Sequence, residues 1–186
     1  MSYLDTIQRW HDFYVTAGAA AATLVGLLFV GLSLHIRVVV SHPDVRSLAR
    51  ATLTNFFAVL LVALVILAPT TDSRTTATWL IAIGVISLGL VVRPAIHGFR
   101  MRHPRTLGLR VLVSRFGLSL LCYAGVATIG VVFGRGDFQD GLIGLLVVVI
   151  VLLVIAVRNT WDLLVTVAAR PETRPTRPRR ADGGSK

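Results

Sequence analysis

Five long apolar segments constrain this chain more than any other feature of its sequence. A helix needs about 20 mostly apolar residues to cross the hydrocarbon core of a bilayer. Within that core, each backbone N–H and C=O group must be bonded inside the protein, which favours helices. We therefore predict an all-α integral membrane bundle within residues 13–169. Its five transmembrane helices are predicted at residues 13–36, 52–69, 77–92, 116–134 and 141–162.

The composition agrees with a membrane domain. Of the 186 residues, 54% are hydrophobic and 15% are charged, whereas a soluble domain has about 25% charged residues. The net charge of +10 could indicate nucleic-acid binding. Because the basic residues fall between the apolar segments, membrane topology explains them better, and we expect no nucleic-acid partner. The single cysteine, Cys122, lies inside an apolar segment and predicts no disulfide framework.

The distribution of basic residues predicts the orientation of the chain. With the N-terminus outside, the outer segments contain 3 of the 19 Lys and Arg residues and the inner segments contain 16. Loops on the cytoplasmic side of a membrane have an excess of Lys and Arg. We therefore expect the N-terminus outside and the C-terminus in the cytoplasm.

Two terminal segments flank the predicted membrane domain. Residues 1–12 predict an amphipathic interfacial leader, because Leu4, Ile7 and Trp10 recur at helical spacing. The leader lacks the positive n-region of a signal peptide, so we expect no cleavage. Residues 170–186 are rich in Pro, Arg and Gly and predict a disordered basic tail. We expect this tail to bind anionic lipid headgroups through Arg170, Arg174, Arg177, Arg179 and Arg180.

Small residues recur at four-residue spacing in the first and fourth spans. Such a row on one side of a helix lets a second helix approach closely. The pattern predicts helix packing, either inside one bundle or between copies of the protein. The candidate packing residues are Gly18, Ala22, Gly26, Gly130 and Gly134.

The last span is interrupted by a cation and an anion four residues apart, Arg158 and Asp162. Two registers are compatible with the sequence. In the first, residues 141–157 cross about 26 Å of the core, and Arg158 extends to the inner headgroups. Its spacing from Asp162 then permits an ion pair. In the second, the span slides to residues 147–169 and places both side chains near mid-membrane, where ionisable residues are candidates for function.

A few other polar residues lie inside the spans or at their ends. We expect Asn55 to hydrogen-bond a neighbouring helix, and we expect Arg93 and Arg115 to extend to the inner headgroups. An alternative interpretation brings these residues together in a basic inner vestibule for a small anion or a lipid phosphate. The candidate polar cluster is Asn55, Arg93, Arg115, Arg158 and Asp162.

The sequence contains no recognisable pattern of an enzyme or a metal site. The histidines on the predicted cytoplasmic side lack the spacing of zinc ligands. These are His35, His42, His97 and His103. The GxSxG, HExxH, P-loop and dinucleotide-binding motifs are also absent from the sequence. We therefore expect a protein that is not an enzyme, without catalytic residues, metal or cofactor.

The segment GAAAATLVGLLFVGLSL, residues 18–34, follows Trp10, Phe13 and Tyr14. It resembles the first span of uncharacterised small multi-pass bacterial membrane proteins. The resemblance implies a multi-pass protein of the bacterial inner (plasma) membrane. It covers the first span alone and implies no activity and no site residues.

Two functions are compatible with these patterns. The first is a membrane protein that acts through helix–helix association, either with itself or as an accessory subunit of a membrane complex. The alternative is a small channel or transporter that uses the basic vestibule to pass an ion or a small anionic solute.

Overall fold

A computed structural model describes residues 3–69, 72–101 and 107–168 of the protein. Side chains are described in these ranges except at 3–4, 38, 43–44, 93–101 and 107–116. The described chain is helical. Its helices are α1 (Tyr3–Leu34), α2 (Ile36–Ser41), α3 (Pro43–Leu67), α4 (Ser73–Met101), α5 (Leu107–Arg135) and α6 (Phe138–Ala168).

Five of these helices are long and apolar enough to cross a membrane, and α2 is a short connector. Their candidate spans are Asp5–Leu34, Val45–Leu67, Ser73–Val92, Gly117–Arg135 and Phe138–Ala168. The prediction of an all-α bundle with five spans is thus confirmed at the level of helix number, length and composition. The third helix begins at Pro43, where the missing N–H of proline costs no helical hydrogen bond.

The N-terminal leader is part of the first long helix. Helix α1 continues without interruption through residue 12, so residues 3–12 are continuous with the first span. Thr6 is buried, and Ile7 and Trp10 pack against the core of the bundle. The periodicity seen in the sequence therefore reflects packing against protein. The predicted tail, residues 170–186, lies outside the described residues.

Helices α3 and α6 join α1 to the rest of the bundle. Helix α3 contacts α1, α2, α4 and α6, and helix α6 contacts α1, α3 and α5. Because α4 also packs along α5, helices α3 to α6 close a ring of four, and α1 lies against the α3–α6 pair. Short connections make neighbouring long helices antiparallel.

The two ends of the bundle differ in charge. One end, called the turn end below, contains the α3–α4 and α5–α6 connections and the start of α1. The opposite end, called the basic end, contains the exposed side chains of Arg37, Arg46, Arg50 and Arg158. A small core at the basic end joins α1, α2, α3 and α6 through buried apolar side chains that include Leu28, Val39, Val45, Leu163 and Val167.

Asp72 caps α4 at the turn end. Its carboxylate accepts hydrogen bonds from the backbone N–H of Arg74 and from the hydroxyl of Thr75, each at 3.1 Å. The bond from the Arg74 N–H is the main cause that lowers the pKa of Asp72. Asp72 therefore stays ionised at neutral pH, and its negative charge lies at the helix end that favours anions.

Helices α4 and α5 each place a glycine against the backbone of the other. A Cβ atom added at Gly84 would lie 2.7 Å from the backbone N of Ala127 and 2.8 Å from the backbone O of Tyr123. A Cβ atom added at Gly130 would lie 2.9 Å from the backbone O of Ala77. Any side chain at either glycine would therefore push the two helices apart.

We expect Gly84→Ala to destabilise the bundle by about 1–3 kcal/mol, the usual cost of forcing extra volume into a packed contact. Reversible unfolding in mixed detergent micelles measures the change. Gly89→Ala is the matched control on the same helix, because a Cβ atom at Gly89 would meet no atom within 4 Å. Alanine favours the helix over glycine, so Gly89→Ala should not lower stability. Equal stability of the two variants would contradict the close contact.

Candidate functional site

A buried hydrogen bond joins α3 to α5 inside the bundle. The hydroxyl of Tyr123 donates to Oδ1 of Asn55 at 2.5 Å, and both side chains are buried, at 0% and 1% exposure. The Nδ2 group of Asn55 has no partner among the described residues. This contact is the interhelical hydrogen bond expected of Asn55, and it ties two helices that are not consecutive in the ring.

Several threonine hydroxyl groups in the spans are satisfied within their own helices. The hydroxyl of Thr16 donates to the carbonyl of Asp12 at 2.8 Å, and that of Thr52 donates to the carbonyl of Leu48 at 2.9 Å. Such bonds to the preceding turn hide the polar group from the bilayer. These threonines therefore do not extend the Asn55–Tyr123 contact into a wider polar network.

The candidate polar cluster is described in part. Asn55 is buried, Asp162 is half-buried and Arg158 is exposed. The ion pairs of the described residues do not include one between Arg158 and Asp162, and the hydrogen bond of Asn55 goes to Tyr123. The side chains of Arg93 and Arg115 lie outside the described residues. The three members that are described thus lie in three different environments.

The small-residue row of α1 begins inside the bundle and ends on its surface. A Cβ atom added at Gly18 would lie 3.0 Å from the Cβ of Ala63 on α3. Ala22 and Gly26 are exposed, and a Cβ atom at Gly26 would meet no atom within 4 Å. Residues four apart on a helix differ by about 40° in direction around its axis. A row with this spacing therefore turns gradually away from the contact at Gly18.

The two glycines singled out on α5 also differ. Gly130 is buried against α4, and its added Cβ atom would come within 2.7 Å of the Ile81 side chain. At the exposed Gly134, an added Cβ atom would lie 3.8 Å from the Cβ of Ala77, an ordinary contact distance. Gly130 therefore permits the close approach of α4 and α5, while Gly134 lies where the helices have already separated.

Three residues of these contacts, Gly84, Tyr123 and Gly141, are not among the candidates predicted from the sequence. Gly84 has no glycine four residues away, so spacing gave no signal for it. Nothing in the sequence around Tyr123 marks this tyrosine as the partner of Asn55, which lies in another span. Gly141 packs against Phe133, with its added Cβ atom 2.6 Å from the ring; the available signal was a glycine at the start of an apolar run, directly after Asp140.

Two depressions lie on the described surface. A groove of about 1090 Å³ runs between α3 and α4, with Arg50 near its basic end and apolar side chains along its walls. A recess of about 290 Å³ at the turn end is bounded by Thr6, Asp137 and Asp140 among others. Among the described residues, no group of three His, Cys, Asp or Glu side chains is placed to hold a metal ion.

Comparison with known proteins gives no relative for this chain. No protein-family model matches it, and no curated protein and no solved structure matches it significantly.

The five arginines proposed to bind lipid in the tail lie outside the described residues. The function is therefore argued from the described helices and their surfaces.

We expect Tyr123→Phe to destabilise the bundle by about 1 kcal/mol, because it leaves the buried Asn55 amide without its donor. Unfolding in mixed micelles measures the loss. Tyr14→Phe is the matched control, since the Tyr14 hydroxyl is buried and has no partner among the described residues. Removing that hydroxyl should leave stability unchanged or raised. A Tyr123→Phe protein as stable as wild type would show that the hydrogen bond contributes nothing.

Proposed function

We propose that the protein is a non-enzymatic multi-pass membrane protein that acts through helix–helix association. It associates either with further copies of itself or, as an accessory subunit, with a larger membrane complex. The observation that carries the proposal is the outer side of α1, which has exposed small residues and against which none of the described helices packs. The support comes from burial, from surface shape and from the way the protein packs its own helices.

Helix α1 is the least buried of the five candidate spans. In its most apolar window 22% of the residues are buried, compared with 50% for α3. Its exposed side includes Ala19, Ala22, Thr23 and Gly26, which we call the α1 surface. The hydroxyl of Thr23 already donates to the Ala19 carbonyl at 2.9 Å, so this surface is smooth and offers no unsatisfied hydroxyl.

A smooth surface of small residues favours association inside a bilayer. Lipid tails are as apolar as leucine, so helices gain little from hiding apolar side chains and gain more from close packing. The bundle uses this principle where Gly84 and Gly130 bring α4 and α5 together, and where Gly18 meets Ala63. The α1 surface has the same composition and remains exposed, which supports a helix from another chain as its partner.

The channel or transporter alternative has weaker support among the described residues. Asn55 is bonded to Tyr123 in the interior, whereas Arg158 is exposed. The groove between α3 and α4 has apolar walls, which do not replace the hydration shell of an ion. We therefore keep association as the proposed function.

We also propose the orientation of the chain and the membrane in which it lies. Arg9, Arg74 and Arg135 lie in helices at the turn end, while Arg37, Arg46, Arg50 and Arg158 lie at the basic end. The excess of Arg on the cytoplasmic side supports a cytoplasmic basic end, with the N-terminus outside. The first-span resemblance supports the inner (plasma) membrane of a bacterium.

Fusions to the two termini test the orientation. We expect a green fluorescent protein fused to the C-terminus to fluoresce, because it stays in the cytoplasm. We expect alkaline phosphatase fused to the N-terminus behind a cleavable signal to be active, because it lies outside. If both termini report the same compartment, the proposed orientation and the number of crossings are wrong.

The α1 surface can be tested with one substitution. Gly26→Leu adds a bulky side chain where no atom of the bundle lies within 4 Å, so the fold should persist while a partner helix is kept away. We expect self-association to weaken about tenfold, equivalent to about 1.4 kcal/mol. Energy transfer between labelled copies in lipid vesicles, measured over a range of protein-to-lipid ratios, gives the change.

Ala20→Leu is the matched control for this experiment. Ala20 is exposed on the same helix, but it lies about 120° around the axis from Gly26. The control should associate as wild type does. A wild-type protein that is monomeric at every ratio and retains no membrane-protein partner in native mass spectrometry would refute the proposal. If Gly26→Leu and Ala20→Leu weaken self-association equally, the α1 surface is not the site of association.

A further inference from the structure

The α3–α4 hairpin carries a long groove on the side that faces the bilayer. The two helices are joined at the turn end, and the groove extends between them from Arg50 and Leu90 at the open end towards Leu64 and Thr76. From Arg50 to Leu64 is 14 residues, or about 21 Å along the axis. One leaflet of the hydrocarbon core is about 15 Å thick, so the groove is long enough to hold the acyl chain of one lipid.

The walls of the groove consist of large apolar side chains. Phe57, Leu61, Trp79, Ile86 and Leu90 line it, and each of them is between 42% and 61% exposed. The hydroxyl of Thr54, on the same wall, donates to the carbonyl of Arg50 at 2.9 Å. The middle of the groove therefore offers dispersion contacts to a hydrocarbon chain.

The open end of the groove carries a positive charge. The Arg50 side chain is exposed, and among the described residues no carboxylate pairs with its guanidinium. A guanidinium matches a phosphate group in charge and in hydrogen-bond geometry. A cation at one end of a hydrocarbon-lined groove is complementary to a single molecule that has a phosphate at one end and an acyl chain at the other.

We propose that the α3–α4 groove binds one anionic glycerophospholipid, with its phosphate at Arg50 and an acyl chain along the groove towards Trp79. The bulky walls distinguish this site from the α1 surface, because helices approach one another closely over small residues. A flexible chain can fill the space between large side chains. The inference is independent of the proposed self-association, since it concerns a different side of the bundle.

The position of Trp79 provides a direct test. Trp79 lines the groove near the turn end, so a lipid chain anchored at Arg50 would bring its middle and end close to the indole. Trp10→Phe with Trp161→Phe leaves Trp79 as the sole tryptophan of the full chain. The protein is placed in phosphatidylcholine vesicles that contain a minor component brominated on its acyl chains. This brominated lipid is either phosphatidylglycerol or phosphatidylcholine.

We expect brominated phosphatidylglycerol to quench Trp79 more than brominated phosphatidylcholine does at the same mole fraction. Arg50→Gln should weaken this preference about fivefold, the factor for about 1 kcal/mol per basic residue near an anionic lipid. Ala82→Phe, which fills the groove from its wall, should also reduce the preference. Arg37→Gln is the matched charge control, exposed at the same end, and should leave it unchanged.

A second control uses another tryptophan. Trp161 is 69% exposed and is not among the residues that line the groove. With Trp161 as the sole tryptophan, quenching should not depend on Arg50. Equal quenching of Trp79 by the two lipids, or a preference that Arg50→Gln leaves intact, would overturn the inference. An equal effect of Arg37→Gln would indicate general charge attraction, and an absence of Trp79 quenching would indicate a groove covered by protein. Either result would also overturn the inference.

Discussion

The close contact of α4 with α5 is the interaction on which the ring of helices depends. In a bilayer, apolar side chains are as well solvated by lipid as by protein, so packing must supply the attraction. Gly84 and Gly130 let two helix backbones touch directly, which increases the number of atoms at contact distance. The Asn55–Tyr123 hydrogen bond then ties α5 to α3 across the ring. Together these contacts fix three of the four helices of the ring, and α1 packs on two members of that ring, α3 and α6.

The amino-acid sequence predicted the helices better than it predicted their contacts. Hydropathy located five spans because the membrane imposes a minimum length of apolar helix. The partner of a buried group is a property of the assembled bundle. Asn55 could therefore be singled out as a residue that needs a hydrogen bond, whereas Tyr123 could not be identified as its donor.

The small-residue row of α1 shows how sequence spacing can mislead. Gly18, Ala22 and Gly26 form one pattern in the sequence, yet Gly18 faces Ala63 and Gly26 faces no described atom. The pattern thus crosses from a contact that the bundle uses to a surface that it leaves exposed. The α3–α4 groove has the opposite character, with large side chains around an unfilled space. We therefore propose different occupants for these two exposed surfaces, a helix for the α1 surface and a lipid for the groove.

The position at which α6 begins leads us to favour one register for Arg158 and Asp162 in the last apolar run. Two residues, Gly136 and Asp137, connect α5 to α6, and Asp140 is exposed beside them, so the start of α6 lies near the membrane surface at the turn end. Twenty residues from that point cross about 30 Å, which favours the register with Arg158 at the opposite boundary.

The apolar run resumes beyond that boundary because α6 still packs against protein there. Leu163 and Val167 are buried at 0% and 4% exposure and belong to the small core with Val39 and Val45 at the basic end. Helix α6 has 31 residues, or about 46 Å, which exceeds the hydrocarbon core. In this register its last turns form a juxtamembrane core with α2 and α3, and the charged residues mark the level at which α6 leaves the lipid.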